Sequence, residues 1–130
     1  MPLTFHPGPG AIVICDFTTG FRPPEIVKER PVVIISPKRR RERLATVVPL
    51  SNSEPAVLQP WHYLVPDGVY PPARAPMWAK ADLVMTVALD RLDRVRVRDE
   101  SGNRTYRIFQ MTDAQLAAVR DAVLLALGLR

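Results

Sequence analysis

The sequence has little cysteine, little histidine and no long apolar run, and each shortage excludes a class of protein. The single cysteine, Cys15, excludes an internal disulfide and a cysteine-based zinc cluster. Two histidines, His6 and His62, without a cysteine or carboxylate pattern around them, are too few to predict a metal site. No uncharged apolar stretch approaches the roughly 18–20 residues that a bilayer span needs, and residues 1–10 do not resemble an export signal. We therefore expect a soluble cytoplasmic protein that does not associate with a membrane.

The composition suffices for one domain and contains an excess of arginine. The 130 residues are 47% hydrophobic and 24% charged, and no linker divides them, which predicts a single domain over 1–130. Eighteen basic side chains against 13 acidic ones give a formal net charge of +5, and 15 of the 18 are arginines. That balance suits a polyanion or an acidic protein partner.

Short β-branched runs between breaker residues predict five to seven strands. The runs cover Ala11–Phe17, Pro31–Ser36, Leu44–Leu50, Trp61–Val65 and Leu83–Leu89, followed by a ribbon over 94–98 and 105–109 with an arginine-rich face. Residues 21–30 and most of the proline-rich stretch 52–76 are predicted to be loops.

The C-terminal segment carries the signals of a helix. Thr112 to Gln115 form a capping-box pattern, apolar residues recur at helical spacing from Leu116 to Leu127, and Gly128 marks the end. Strands followed by one helix predict an α+β, mainly β fold, in which a strongly bent antiparallel sheet or barrel packs against the helix. The helix has more apolar residues than one face needs, which fits either a wide core stripe or a surface for a partner.

An ordered set of short motifs runs through the chain. They are Gly10 before an apolar strand ending in Asp16-Phe17, then Arg30-Pro31-Val32-Val33-Ile34-Ile35-Ser36-Pro37, Pro49-Leu50-Ser51, Lys80-Ala81-Asp82, Met85-Thr86-Val87 and Arg91-Leu92. In this order they resemble the MazF/PemK family of toxin endoribonucleases from bacterial type II toxin–antitoxin pairs. The resemblance implies a small SH3-like antiparallel barrel of five to seven strands with a C-terminal helix packed on it.

The same resemblance implies an activity and partners. It implies a metal-independent endoribonuclease, without a cofactor, that cleaves single-stranded RNA such as mRNA by attack of the 2′-hydroxyl, leaving 2′,3′-cyclic phosphate and 5′-hydroxyl ends. It also implies a homodimer that a cognate antitoxin silences. Two other hypotheses stay open, because a fold does not fix a function. One is a non-catalytic toxin on the same barrel, similar to the CcdB-type toxins that act on DNA gyrase, and the other is a nucleic-acid-binding accessory module.

Three positions are candidates for catalysis. Arg30 suits the stabilisation of a phosphate in the transition state, since its guanidinium is a planar fork of donors that stays charged. The alternative is an ion pair with Asp16 or Glu29 at the strand entrance. Ser51 stands where the family has a hydroxyl on the scissile phosphate, or it belongs to a plain strand-end turn. Asp82 could orient Arg30 or accept the 2′-proton, or it is simply exposed before a strand.

The remaining candidates would bind RNA. Lys80 could contact a neighbouring phosphate, and Thr19 belongs to the first loop. His62 is a natural base near neutral pH, although its aromatic neighbours also fit a packed or surface histidine. The basic run that includes Arg39, Arg40 and Arg41 predicts a hairpin tip that attracts the phosphate backbone, an acidic antitoxin segment, or only solvent.

Overall fold

A computed structural model of the chain describes residues 1–39 and 42–130. Within these ranges the chain forms ten strands, two short 3₁₀ turns and one α-helix. The strands are β1 (Ala11–Cys15), β2 (Arg30–Ile34), β3 (Leu44–Ser51), β4 (His62–Leu64), β5 (Trp78–Lys80), β6 (Met85–Ala88), β7 (Leu92–Asp93), β8 (Val95–Arg98), β9 (Arg104–Arg107) and β10 (Phe109–Gln110). The 3₁₀ turns span Ala81–Leu83 and Leu89–Arg91, and the helix α1 spans Asp113–Ala126. The predicted RNA-binding residues Arg40 and Arg41 lie outside the described residues.

Eight of the described strands form one antiparallel sheet in the order β10-β1-β2-β3-β5-β4, with β6 also paired to β3 and β7 also paired to β1. The mainly β, α+β class with a strongly bent antiparallel sheet and a C-terminal helix is confirmed, and in the described residues the sheet is not closed as a barrel. The long strands β1 and β3 each divide one edge between two short partners, which bends the sheet. In the described residues no pairing joins β4 to β10, so the two ends of the sheet stay separate. Strands β8 and β9 form a second, two-stranded sheet.

The three central strands are buried on both faces, which explains why their sequences are nearly continuous apolar runs rather than alternating ones. One face carries Val13, Val32, Ile34 and Val47 into a core that also holds Phe17. The opposite face packs a second set of side chains against α1: Ile12, Val33, Val48 and Leu50 against Val119, Ala122 and Val123. The helix therefore covers one face of the sheet and leaves the other face to the N-terminal arm and the turns.

The predicted signals at both ends of the helix are confirmed. The Thr112 hydroxyl accepts from the Gln115 backbone N–H, and the Gln115 side chain accepts from the Thr112 backbone N–H, at 3.2 and 2.9 Å. At the C-terminus Gly128 adopts a φ of 72°, and the N–H groups of Gly128 and Leu129 donate to Leu125 and Leu124 in a Schellman motif. In the part of the chain that the structure describes, no helix combines the length with the hydropathy that a membrane span needs.

Several predicted boundaries shift by a few residues. The predicted strand Leu83–Leu89 becomes β6, shortened at both ends by a 3₁₀ turn. Strand β5 was not predicted, because three residues after Pro76 are too few to show a period. The loops over 21–29 and most of 52–76 are confirmed, and β4 is the one strand formed within the second of them in the described chain.

Candidate active site

The candidate catalytic arginine and serine meet at one end of the β2–β3 hairpin. The register pairs Val32 with Pro49, Val33 with Val48 and Ile34 with Val47. The recorded pairing ends at Val32 and Pro49, and continuing its register by two residues brings Arg30 and Ser51 to the same side of the sheet, where both line one cleft. This is the side that, further along the strands, buries Val32 and Val47. Arg30 and Ser51 therefore extend a core face to the surface, where both are half-buried.

Two further candidates join this end of the sheet through β5 and β4. Ser51 pairs with Trp78 at the start of β5, and Lys80 ends that strand. Lys80 pairs in turn with His62 of β4. The Nδ1 atom of His62 accepts a hydrogen bond from the Gln59 N–H at 3.0 Å, which leaves the proton of the neutral imidazole on Nε2. The histidine is half-buried beside Trp61, with ring centroids 6.1 Å apart.

Arg30, Ser51 and Lys80 line the same cleft, which has a volume of about 310 Å³. The first loop supplies one wall, and the ends of the strands supply the other. Its lining comprises Pro24, Glu25, Ile26, Val27, Lys28, Arg30, Pro49, Leu50, Ser51, Ser53, Lys80 and Leu83. Three cations against one carboxylate make the cleft electropositive.

The Arg30 guanidinium forms no ion pair with the described residues. Within the described ranges, no carboxylate lies within 4 Å of it, so the alternative of an ion pair with Asp16 or Glu29 is not realised. Asp16 is occupied elsewhere, because its carboxylate accepts from the Thr18 N–H and hydroxyl. These hydrogen bonds hold the pKa of Asp16 below its ordinary value. The donors of Arg30 remain available to an anionic ligand.

Local hydrogen bonds orient the two other polar groups of the cleft. The Ser51 hydroxyl accepts from the Ser53 N–H at 3.2 Å, so its own hydrogen is free to point into the cleft. The Glu25 carboxylate accepts from the Arg22 N–H at 3.0 Å through one oxygen, within a turn that the Glu25 N–H closes onto the Arg22 carbonyl. The second carboxylate oxygen of Glu25 makes no hydrogen bond to the described residues.

The loop that forms the wall is attached to the body of the protein through Arg91. One guanidinium nitrogen, Nη1, donates to the carbonyls of Asp16 and Thr19, each at 3.0 Å. The same guanidinium lies 4.7 Å from the centroid of the Phe21 ring. Phe21 also packs edge-on against the fully buried Phe17, with centroids 5.3 Å apart. The loop therefore has a defined conformation at its start, next to the wall.

Other predicted site residues lie away from the cleft lining. Asp82 is exposed in the 3₁₀ turn that follows β5, and Thr19 is exposed with its carbonyl held by Arg91. Arg39 lines a different depression, of about 910 Å³, and pairs with Glu42 at 3.5 Å. It follows β2, whereas Arg30 begins that strand, so Arg39 lies toward the opposite end of the hairpin, roughly 20 Å away along β3.

Three polar residues of the cleft were missed by the sequence analysis: Glu25, Lys28 and Ser53. All lie in loops, where no period or motif marks a side chain as facing a site. The charge of Glu25 and Lys28 within the first loop was the only available signal. No group of three or more histidine, cysteine, aspartate or glutamate side chains in the described chain is arranged to hold a metal ion.

Comparison with known proteins assigns this arrangement to a family. A model of the PemK-like, MazF-like toxins of type II toxin–antitoxin systems matches residues 8–127. The chain belongs to this toxin family. The matched range contains every strand and the whole of α1, and therefore both sides of the cleft. No curated protein matches the chain by sequence.

Solved structures of two MazF proteins and of an endoribonuclease share the fold at low sequence identity. MazF from Deinococcus radiodurans is 19% identical, with a TM-score of 0.68 over 95% of this chain and 98% of that one. An endoribonuclease from Mycobacterial species in complex with its cognate antitoxin is 20% identical, with a TM-score of 0.61 over 96% and 98%. The Mycobacterium tuberculosis toxin MazF-mt6 is 20% identical, with a TM-score of 0.58 over 90% and 95%. The bent sheet with its C-terminal helix is thus the fold of the family.

Proposed function

We propose that this toxin is an endoribonuclease that cleaves single-stranded RNA, such as mRNA in the cytoplasm, in the cleft between the first loop and the ends of β2, β3 and β5. The observation that carries the proposal is the convergence of Arg30, Ser51 and Lys80 on one cleft, where no described carboxylate lies within 4 Å of the Arg30 guanidinium. A phosphodiester is the anion that such a set of donors fits best. The endoribonucleases among the similar structures support the same activity.

The cleavage needs only the RNA and groups of this kind. The 2′-oxygen loses its proton and bonds to the adjacent phosphorus while the bond from phosphorus to the 5′-oxygen breaks. The departing 5′-oxygen takes up a proton from water, giving a 2′,3′-cyclic phosphate and a 5′-hydroxyl. Arg30 stabilises the negative charge on the non-bridging oxygens of the five-coordinate phosphorus. The Ser51 hydroxyl donates to one of these oxygens, and Lys80 and Lys28 hold neighbouring phosphates. No divalent metal is assigned a role, since the guanidinium provides the charge stabilisation.

The 2′-hydroxyl proton requires an acceptor, and the carboxylate that lines the cleft is the better candidate. Glu25 is the acidic residue of that lining, and one of its oxygens is already oriented by Arg22. Asp82, which the sequence analysis gave as one possible acceptor, lies outside that lining. We therefore expect Glu25→Gln to reduce the rate of cleavage by about 10²–10⁴-fold, the usual contribution of general acid–base catalysis. Asp82→Asn is the matched control. An equal loss of cleavage rate in Asp82→Asn would assign the role of proton acceptor to Asp82.

The proposal is tested by incubating the protein with a long single-stranded RNA in EDTA and mapping the fragment ends. Wild type should produce cyclic phosphate and 5′-hydroxyl ends. Arg30→Ala should lower the rate by about 10²–10³-fold, as the loss of one preorganised charge-stabilising donor does. Arg74→Ala, which removes an exposed arginine outside the cleft, should cleave as wild type does. Intact RNA after long incubation with folded wild type would overturn the proposal and favour a non-catalytic toxin.

We also propose that the toxin acts as a homodimer and that a cognate antitoxin inhibits it. The end of α1 and the residues after it expose leucines, with Leu127 and Leu129 56% and 70% exposed, which offers an apolar surface for a second copy. One similar structure is an endoribonuclease bound to its cognate antitoxin, which supports the second part. Light scattering should give twice the 14.6 kDa chain mass. The antitoxin should suppress both toxicity and RNA cleavage when it is added in equal amount.

A further inference from the structure

The β8–β9 ribbon exposes a face rich in arginine that the cleavage mechanism does not use. The register pairs Arg96 with Tyr106 and Arg98 with Arg104, and directly paired residues share a face. All four side chains are exposed, Tyr106 to 58%. The other face carries the buried Val95, the half-buried Val97 and Thr105, and the exposed Arg107, whose guanidinium lies over the Phe109 ring. One side of the ribbon thus packs on the protein, and the other presents three guanidinium groups and a phenol ring.

The charge of this face is not balanced within the protein. Arg98 and Arg104 lie directly across from each other, an arrangement of like charges that opposes pairing of the strands. Among the residues that the structure describes, no carboxylate lies within 4 Å of Arg96, Arg98 or Arg104. The nearest acid along the chain, Asp99, uses its carboxylate to accept the N–H groups of Ser101 and Asn103 in the turn. The face therefore suits a polyanion that supplies the missing charge.

The composition of the face favours nucleic acid over an acidic protein segment. A protein segment that folds on binding needs apolar anchors, and this face offers none beyond the Tyr106 ring. Single-stranded nucleic acid is bound by arginines along the backbone with an exposed aromatic ring on which a base stacks. Tyr106 lies directly opposite Arg96, so one nucleotide could contact both side chains.

The ribbon also leaves the main sheet close to the cleft. Leu92 of β7 and Arg30 of β2 are the two partners of Cys15, one on each edge of β1. Two strand spacings therefore separate the backbones of Leu92 and Arg30, a distance of about 10 Å. Strand β8 begins three residues after Leu92. An RNA strand held at Arg30 could thus reach the ribbon within a few nucleotides.

We propose that the exposed face of the β8–β9 ribbon is a second binding surface for single-stranded RNA, on which Arg96, Arg98 and Arg104 hold phosphates and Tyr106 stacks with a base. The substrate class rests on the proposed function, but binding at the ribbon does not require cleavage. A surface of this kind lengthens the contact with RNA beyond the scissile phosphate. Long RNAs are then bound more tightly than short ones that only fill the cleft.

The test measures binding of a 2′-O-methyl oligonucleotide, which cannot undergo 2′-hydroxyl attack, by fluorescence anisotropy over a range of salt concentrations. Each phosphate contact contributes about 0.7 to the slope of log affinity against log salt. The double variant R96Q/R104Q should lower the slope by about 1.4 and weaken binding about 25-fold at 0.1 M salt. R74Q/R130Q removes the same charge from exposed positions outside the ribbon and the cleft, and should bind as wild type does. Circular dichroism of each variant checks that the fold is intact.

Tyr106→Leu separates stacking from charge. It should weaken binding about tenfold without changing the salt slope, since a stacked ring contributes independently of counterions. Equal binding by wild type, R96Q/R104Q and Tyr106→Leu would overturn the proposal, and loss of antitoxin binding alone in these variants would assign the face to a protein partner. A failure of the proposed function is distinguishable, because wild type would then leave an ordinary, cleavable RNA intact. Ribbon variants change binding of the uncleavable oligonucleotide in either case.

Discussion

Replacing Arg91 with alanine should loosen the loop that forms one wall of the cleft. Its guanidinium donates two hydrogen bonds, to the carbonyls of Asp16 and Thr19, and lies against the Phe21 ring. These contacts join the start of the loop to the 3₁₀ turn Leu89–Arg91. The wall residues follow a few positions later in the same loop, so a change at Arg91 reaches the cleft without touching the proposed RNA contacts.

The size of the effect follows from the three contacts. A hydrogen bond from a charged donor contributes about 1.5–3 kcal/mol and an exposed cation–π contact about 0.5–1 kcal/mol. Arg91 is only half-buried, so we count the two hydrogen bonds from Nη1 together at about 1.5 kcal/mol and the cation–π contact at about 0.5 kcal/mol. We expect Arg91→Ala to reduce the free energy of opening the loop by about 2 kcal/mol. That corresponds to about a 30-fold rise in the open fraction.

Limited proteolysis measures this opening directly. Trypsin cleavage after Lys28, within the loop, should be about 30-fold faster in Arg91→Ala when opening is rapid relative to cleavage. Arg91→Lys keeps the charge but loses the fork of donors, and should lie between wild type and alanine. Phe21→Leu should retain both hydrogen bonds and show a smaller increase. If trypsin cleaves wild type and Arg91→Ala at the same rate after Lys28, the loop does not depend on these contacts and the reasoning is refuted.

Two further predictions concern stability. Gly10 has a φ of 86°, and an added Cβ would lie 2.5 Å from Nε2 of Gln110, so Gly10→Ala should lower the free energy of unfolding by about 2 kcal/mol in urea titrations. The double variant with Gln110→Ala should recover only the part due to the clash, and an unaltered urea midpoint in Gly10→Ala would contradict the assignment. The pKa of Asp16 is lower in the folded chain than its ordinary 3.8. The ionised carboxylate therefore adds its full contribution to the free energy of unfolding above pH 3.8, and this contribution is lost as the pH falls through the folded pKa. Asp16→Asn should therefore show a smaller drop in urea midpoint between pH 6 and pH 3 than wild type, and identical drops would count against a role for the Thr18 hydrogen bonds.

Local signals predicted most of the regular structure, and pairing between distant segments accounts for what they missed. The capping box at Thr112 and the apolar runs of β1, β2 and β3 are set by nearby residues, and the structure confirms them. Closure into a barrel depends on whether the two ends of the sheet meet in register, which no local pattern encodes. The sharing of one edge of β3 by β5 and β6 is likewise visible only in the folded chain.

The same division applies to the candidate site. Arg30, Ser51 and Lys80 occur in motifs that the family resemblance identified, and the structure brings them to one cleft. Asp82 would share a face with Lys80 if β5 continued, but the chain turns into a 3₁₀ helix at Ala81 and directs it elsewhere. Glu25 lies in a loop, where only the folded wall reveals that it lines the cleft.

The reactivity of the single cysteine, Cys15, reports when the sheet opens. Cys15 is fully buried between Arg30 and Leu92, and burial raises the pKa of its thiol to about 12. A thiol reagent can modify it only when β1 separates from a neighbouring strand, because the reactive thiolate is absent from the closed state. The rate of modification under native conditions therefore measures the opening of the sheet directly beside the proposed catalytic arginine, with no engineered label. An RNA or antitoxin that stabilises this end of the sheet should lower the rate at which the Cys15 thiol is modified.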